Sequence, residues 1–491
     1  MIIVLVHGWS VTHTRTYGDL GSRLEADSRA GRLPSLTVRD VYLGKYVSFS
    51  DEVRLEDISQ AFEAAVQKEL APDLARGEHL AVIAHSTGGP VIRDWWHRYY
   101  RSQNRPCPMR HLIMLAPANF GSALAQLGKT RIADLKASIA DGVDPGVGVL
   151  DWLEHGSPEA WALNKAWILD PEDPASGTEP LFQFVLTGQT IDRRLYDHVN
   201  SYTGEPGSDG VVRAAAANLN ASYLKLTQQR HDGNTTEKTV LRLNSSEPVS
   251  APKTAFALIR GRSHANKRKG ILRSIKTEGG HPTYRAIVRC LRVQSDKAYQ
   301  RLTAAFEREN VTVRRKERYE SSGRLLKHEH FTDAHSLIIA RIQDDGGYPP
   351  KRLDFKFTGA RNNPDGLPSG MLVDRQRNRR STRTLTFYLN ADAALGAGSV
   401  TNRRGTVVRR RLPALPALGI ALLPRPRDAY VGHAIGQLSA TLRNLERLVR
   451  RDQTVLLDIE LNRIVSSGAF ELTTDLRRRS FKEQSRGKPI D

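Results

Sequence analysis

Ser86 stands in Ala84-His85-Ser86-Thr87-Gly88, a setting in which a serine hydroxyl can attack a carbonyl carbon. An unassisted hydroxyl is a weak nucleophile. The chemistry therefore requires a histidine to take its proton and a carboxylate to fix that histidine's tautomer. The serine must also stand clear of the backbone on a strained turn between a strand and a helix, where only small residues fit two positions to either side. Ala84 and Gly88 fill those positions, so the pattern reads AxSxG in place of GxSxG. Alanine meets the steric need with less backbone freedom than glycine. The apolar run at 80–83 supplies the strand, and a helix-compatible segment reaching Trp96 supplies the helix.

The partners of such a serine follow it in the order acid, then histidine. Gly207-Ser208-Asp209-Gly210 puts Asp209 in a turn beyond a strand at 181–186, and Asp192, nearer that strand, is the competing acid. Residues 255–259 read as a late strand that delivers Gly261-Arg262-Ser263-His264; His231, after the strand-like run 223–227, is the rival base. A loop after the last strand favours His264, while spacing alone does not decide between the two. His85, inside the elbow, reads as structural. Two backbone N–H groups are needed for the negative charge that develops on the carbonyl oxygen. One belongs to the residue after the nucleophile, Thr87. The other comes from the loop after the first strand, His7-Gly8-Trp9-Ser10, which assigns the amide of Trp9.

These side chains can meet only if the chain between them folds as a mostly parallel sheet with helices on both faces. Strands are expected at 2–6, 36–42, 80–83, 112–115 and 181–186, alternating with helices. The strongest helix is at 55–70, where Leu55, Ile58, Phe62, Ala65 and Val66 recur at helical spacing and Pro72 follows as a stop. An insertion at 118–179, with helix-compatible stretches at 123–140 and 158–168, is placed to cover the site as a moving lid or as a fixed cap.

The 73 Lys and Arg against 53 Asp and Glu are unevenly spread. Residues 1–250 carry 25 cations and 30 anions, and residues 251–491 carry 48 and 23. The basic half suits polyanions, either nucleic acid or anionic lipid headgroups. It lacks zinc-finger, helix-turn-helix or RNA-binding aromatic signals, so nucleic acid would have phosphate attraction alone. Two distant cysteines, Cys107 and Cys290, exclude a disulfide framework. His328, His330 and His335 are a weak metal signal, and no metal or organic cofactor is expected. No apolar run is long enough to span a membrane, and residues 2–6 read as a core strand instead of a secretion signal. A catalytic domain is expected over 1–300. Short alternating runs at 311–315, 337–341, 353–357, 371–373 and 384–389 suggest a β-rich, sandwich-like basic module over 301–410. Residues 411–491 read as a linker or extended strand at 413–426, an amphipathic helix at 435–451 and a tail, packing on the body.

Five segments in order, VLVHGW at 4–9, VIAHSTGG at 82–89, APANFGS at 116–122, SDGVV at 208–212 and His264 before Gly270-Ile271-Leu272, resemble the α/β-hydrolase lipases and esterases. More narrowly, they are similar to the bacterial group related to GPI-inositol deacylases, which includes type VI secretion lipase effectors. In that group the histidine is followed shortly by Gly-Ile-Met, which favours His264 over His231. The resemblance covers about residues 1–290 and departs at Ala84 and at Ala265-Asn266. It implies an α/β-hydrolase fold, Ser86 as nucleophile, His264 as general base and acid, Asp209 as its orienting partner, and the amides of Trp9 and Thr87 as the oxyanion hole. The expectation is a lipase or phospholipase on membrane phospholipid, held to an anionic membrane surface by its basic half. As an effector it would be made in the cytoplasm without a signal peptide. A secretion-apparatus protein would then pass it to the periplasm or membrane of a target cell, and an immunity protein would neutralise it. The alternatives are an intracellular esterase or thioesterase for soluble substrates, and an inactive hydrolase fold that binds nucleic acid.

Overall fold

The computed structural model describes residues 1–7, 17–40, 52–127, 146–170, 181–191, 204–230, 240–322, 328–402, 404–425, 431–441 and 446–465. Six strands form one sheet in the spatial order Thr37–Asp40, Ile2–Val6, Leu80–His85, Met109–Leu115, Phe182–Thr187 and Ala255–Leu258, and every pairing in it is parallel. A parallel sheet is buried on both faces, which explains the continuous apolar runs. Ile2, Val4 and Val6 pack on one side with the helices Leu55–Ala65 and Gly88–Tyr99. Ile3 and Leu5 pack on the other with Leu20–Arg29, Pro282–Leu291 and Asp296–Glu317. This is the α/β-hydrolase arrangement.

Two expectations in this half are corrected. The strand expected at 311–315 lies inside the helix Asp296–Glu317, capped by Ser295, whose hydroxyl accepts the Ala298 N–H. Leu302, Phe306 and Asn310 recur every four residues and face the edge strand Ala255–Leu258. Asn310 there donates to Phe256 O at 2.9 Å and accepts Leu258 N–H at 2.7 Å, so a helical face wins over the β-branched pair Val311 and Val313. Pro72 also does not stop the chain. The helix passes through a π turn at Val66–Leu70 into a short helix, Ala71–Leu74, whose first turn holds Pro72 without losing a hydrogen bond.

A second sheet of ten strands joins the two halves of the sequence. Nine run in the order Arg352–Thr358, Ala417–Arg425, Ile435–Thr441, Val240–Ser245, Ser222–Gln228, Gln453–Leu461, His335–Asp344, Thr384–Asn390 and Leu372–Arg377; Val249–Ser250 pairs beside Ser222–Gln228. Gln453–Leu461 lies parallel between Ser222–Gln228 and His335–Asp344. The sheet curls so that Phe355 and Phe357 meet Phe387 with ring centroids 4.5 and 5.0 Å apart, closing a sandwich-like core of its own. The helix expected at 435–451 is corrected as well. Ile435–Thr441 is a strand, because Ala417–Arg425 pairs with it on one side and Val240–Ser245 on the other, and pairing from both sides overrides helical spacing. The stretch 413–426 contains the interior strand Ala417–Arg425. Among the described residues no helix is long and apolar enough to cross a membrane.

Candidate active site

Leu80–His85 runs up the middle of the parallel sheet, and the helix Gly88–Tyr99 begins two residues after Ser86. Ser86 adopts φ 56°, a left-handed conformation that costs a residue with a Cβ roughly 1 kcal/mol or more. Its surroundings hold it there. The Ser86 N–H donates to Leu115 O at 3.0 Å, while Ser86 O accepts Gly89 N–H at 3.1 Å and Ala118 N–H at 3.3 Å. Crowding explains the small residues: a Cβ on Gly88 would lie 2.9 Å from Val6 O, and one on Gly89 would lie 2.6 Å from Pro117 Cβ. Ala84 is buried between Val6 and Met114 in neighbouring strands, where a methyl group fits.

The structure brings Ser86, His264 and Asp209 into one hydrogen-bonded chain. His264 Nε2 is 3.0 Å from Ser86 Oγ, and His264 Nδ1 is 2.9 Å from Asp209 Oδ2. Asp209 is wholly buried; its Oδ1 accepts the N–H groups of Val211 at 3.0 Å and Val212 at 2.8 Å. With both carboxylate oxygens engaged, Nδ1 is held as a donor, which leaves the Nε2 lone pair facing the serine hydroxyl. The His264 backbone is fixed from both sides. Its N–H donates to Asp209 O at 3.0 Å, and its carbonyl accepts His85 Nε2–H at 3.2 Å. Burial, reinforced by His264, pushes the His85 ring down to about 3, so His85 stays neutral and serves as that donor.

The loop after His264 shows why Gly-Ile-Leu accompanies it. Asn266, at φ 91°, accepts the N–H groups of Arg268 and Lys269 on its side-chain oxygen, and a Cβ on Gly270 would lie 2.4 Å from Asn266 O. Ile271 and Leu272 then bury completely in the core beneath. From the helix Asp296–Glu317, Glu317 accepts the Gly261 N–H at 2.6 Å and bonds to Gln189 and Thr190, tying the histidine loop to the end of Phe182–Thr187. Burial raises the Glu317 carboxyl above its ordinary range.

Thr87, the residue after Ser86, is buried, whereas Trp9 and the rivals Asp192 and His231 lie outside the described residues. His328 and His330 sit in the strand His328–Phe331, and His335 stacks on Tyr388. Among the described residues no group of three or more His, Cys, Asp or Glu could hold a metal ion. The described parts of the insertion include the helices Val147–Leu153 and Pro158–Leu169, pinned by the second sheet. Glu154 accepts the Arg379 N–H at 2.9 Å and its Nε at 3.1 Å, Asn378 Nδ2 donates to His155 O at 3.2 Å, and Arg380 reaches Glu159 at 3.0 Å.

Sequence reasoning missed Arg213, which is fully buried with Glu205 and Asp374. One signal was available. An arginine between Val211-Val212 and four alanines must be buried, and a buried guanidinium must be paired.

Comparison with protein-family models gives no match, and comparison with curated proteins gives none either. Two solved structures match over their whole length. Phospholipase PlaB from Legionella pneumophila is 38% identical with a TM-score of 0.84, and PlaB from the same organism in complex with thio-NAD is 36% identical with a TM-score of 0.85. In both cases 100% of this chain and 100% of the other are covered. The chain belongs to the PlaB family. As a PlaB-family protein it is a serine hydrolase, with an α/β-hydrolase sheet and a curled β-rich C-terminal sheet. The relationship to PlaB extends over the C-terminal half, where the motif resemblance ends near residue 290.

Proposed function

We propose that this PlaB-family protein is a phospholipase that cleaves acyl esters of membrane phospholipids, with Ser86, His264 and Asp209 as its catalytic triad. The observation that carries the reading is the chain Ser86–His264–Asp209, at 3.0 and 2.9 Å, in a full-length relative of a phospholipase. Ser86 Oγ attacks the acyl carbonyl carbon as its proton passes to His264 Nε2, and the imidazolium is stabilised by Asp209. The oxyanion is met by the amides of Thr87 and Trp9. The tetrahedral intermediate collapses as His264 returns the proton to the leaving glyceryl oxygen. Water, deprotonated by the same nitrogen, then attacks the acyl-enzyme carbonyl; the ester bond to Ser86 Oγ breaks, His264 returns the proton to Oγ, and the fatty acid leaves. The basic C-terminal half holds the enzyme on an anionic bilayer, each cation near the surface contributing about 1 kcal/mol. Fatty-acid release from phosphatidylglycerol vesicles tests this: wild type should release it and Ser86→Ala should not. Equal release by the two proteins would sink the mechanism. Delivery to another cell, with its immunity protein and secretion-apparatus partner, rests on the motif resemblance alone. Toxicity confined to cytoplasmic expression, with none when the protein is directed to the periplasm, would remove it.

A second reading concerns a ligand. A cavity of about 390 Å³ is lined by Arg314, Arg315, Arg318 and Arg451, with Asp333 and Asp392. Arg318 Nε and Nη2 are shielded from solvent without a hydrogen bond, the nearest carboxylate oxygens of Asp333 and Asp392 being 3.8 Å away. Since one PlaB structure carries thio-NAD, we propose that this cavity takes the diphosphate of a dinucleotide, as a bound ligand and not a reactant. Calorimetric titration with NAD should show binding that Arg318→Ala weakens. Absence of binding to wild type, or equal binding to both, would overturn it.

A further inference from the structure

The turn that carries Asp209 is built against the second sheet. Arg213 closes this turn by bridging to Ser208, and Asp209 N–H donates to Val212 O at 3.2 Å inside it. The Arg213 side chain lies across the turn, with Nε and Nη2 on the two oxygens of Glu205 at 2.7 and 2.8 Å. Nη2 also reaches Asp374 Oδ2 at 2.5 Å, on the strand Leu372–Arg377. The guanidinium sits 4.1 Å from the ring centre of Tyr388, on the neighbouring strand Thr384–Asn390. Tyr388 donates its hydroxyl to Pro206 O at 3.0 Å, and His335 stacks on the Tyr388 ring at 4.6 Å. Contact is so close at Gly207 that a Cβ there would lie 2.6 Å from both His335 Nδ1 and the Tyr388 hydroxyl. Just beyond the turn, Thr454 Oγ1 donates to Ala215 O at 2.9 Å and Asn218 Nδ2 donates to Asp452 O at 2.7 Å.

The hydrolase half holds the same segment mainly by bonds to its backbone: Ser122 Oγ to Val211 O, Phe120 N–H to Ala216 O and Asn119 Nδ2 to Ala217 O. Apart from His264 itself, the charged and aromatic side chains that reach it from outside the segment, Asp374, Tyr388 and His335, come from the second sheet. Asp209 must be held to within a few tenths of an ångström to keep both its bond to His264 and its bonds to the two amides, and a shift of that size is what a loosened turn would allow.

We propose that the hairpin formed by Leu372–Arg377 and Thr384–Asn390 sets the position of the catalytic acid. Arg213 and Tyr388 are positioning residues for Asp209, and Asp374 fixes Arg213. The proposal rests on the triad reading and adds to it a route by which the C-terminal sheet reaches the reaction. Its consequence is kinetic. Loosening the turn weakens Asp209's hold on His264, so kcat falls while substrate binding, which uses other surfaces, is retained.

Tyr388→Phe keeps the ring and removes only the bond to Pro206; Asp374→Asn keeps the shape and removes the charge. Each is made alone and on an Asp209→Asn background, with kcat, KM and melting temperature measured on phosphatidylglycerol vesicles. The single variants should lose at least about tenfold in kcat with KM within about twofold of wild type. On the Asp209→Asn background each should cost less than about twofold more, because residues acting through one group are not additive. Wild-type kcat in both single variants, or losses that multiply in full on that background, would overturn the proposal. Loss in Asp209→Asn with none in the other two removes the positioning role and leaves the triad standing. Wild-type kcat in Asp209→Asn removes both.

Discussion

Replacing Asp209 by asparagine tests the triad at its most constrained member. The carboxylate accepts one N–H from His264 on Oδ2 and two, from Val211 and Val212, on Oδ1. Asparagine has a single acceptor oxygen for these two directions. Turning that oxygen to His264 would set the amide NH2 against two buried N–H donors, each costing about 1–3 kcal/mol when unpaired. Asparagine therefore keeps its oxygen on the amides and presents NH2 to Nδ1. The imidazole responds by moving its proton to Nε2, where it donates to Ser86 Oγ and can no longer accept from it. A wrong tautomer of this kind lowers kcat by about 10⁴ in the template serine triad, equivalent to about 5 kcal/mol of transition-state stabilisation. The assay is fatty-acid release from phosphatidylglycerol vesicles at saturating lipid, alongside a melting curve. A kcat within about tenfold of wild type, with an unchanged melting temperature, would refute the assignment of Asp209.

Gly207→Ala should destabilise by at least about 2 kcal/mol and lower activity. The position has φ 74°, and its new methyl meets His335 and Tyr388 at 2.6 Å; urea denaturation reads the first effect and kcat the second. His155 is fully buried and held at about 3 by burial, with Arg213 adding to the effect, so its folded value lies below the unfolded one of 6.5. Its contribution is therefore present above pH 6.5 and lost as pH falls toward 3, the loss amounting to about 2 kcal/mol at pH 5. His155→Asn, which retains a donor for Phe120 O, should flatten that part of the stability–pH curve. Binding to phosphatidylglycerol vesicles should weaken steeply between about 50 mM and about 500 mM salt, because surface charges are screened within a few ångströms at the higher value, and sedimentation with the vesicles measures it.

The parts of the site visible in the sequence are those fixed by local geometry. An elbow needs small residues at set offsets, so Ala84, Gly88 and the strand before them marked Ser86. The turn at Asp209 carries its own glycines, and Gly270-Ile271-Leu272 marks the plug beneath His264. What escaped was set by distant pairing. Nothing local at Asp374 or Tyr388 says that they face a turn more than 160 residues earlier. The strand Ile435–Thr441 carries leucines at helical spacing, and only its neighbours on both sides make it extended. The helix Asp296–Glu317 was obscured by Val311 and Val313, although Asn310 had a backbone to serve.

Gln453–Leu461 fills the gap between Ser222–Gln228 and His335–Asp344, and it is among the last described segments to leave the ribosome. At about 5–20 residues per second, Ser222–Gln228 waits roughly ten to fifty seconds for that neighbour. Until then Ala215 and Asn218, just beyond the turn, lack their partners Thr454 and Asp452, and the parallel edge is open. Order of assembly thus follows order of synthesis: the strand that leads to Ser86 and the loop that carries His264 emerge well before the strand that completes the sheet behind Asp209.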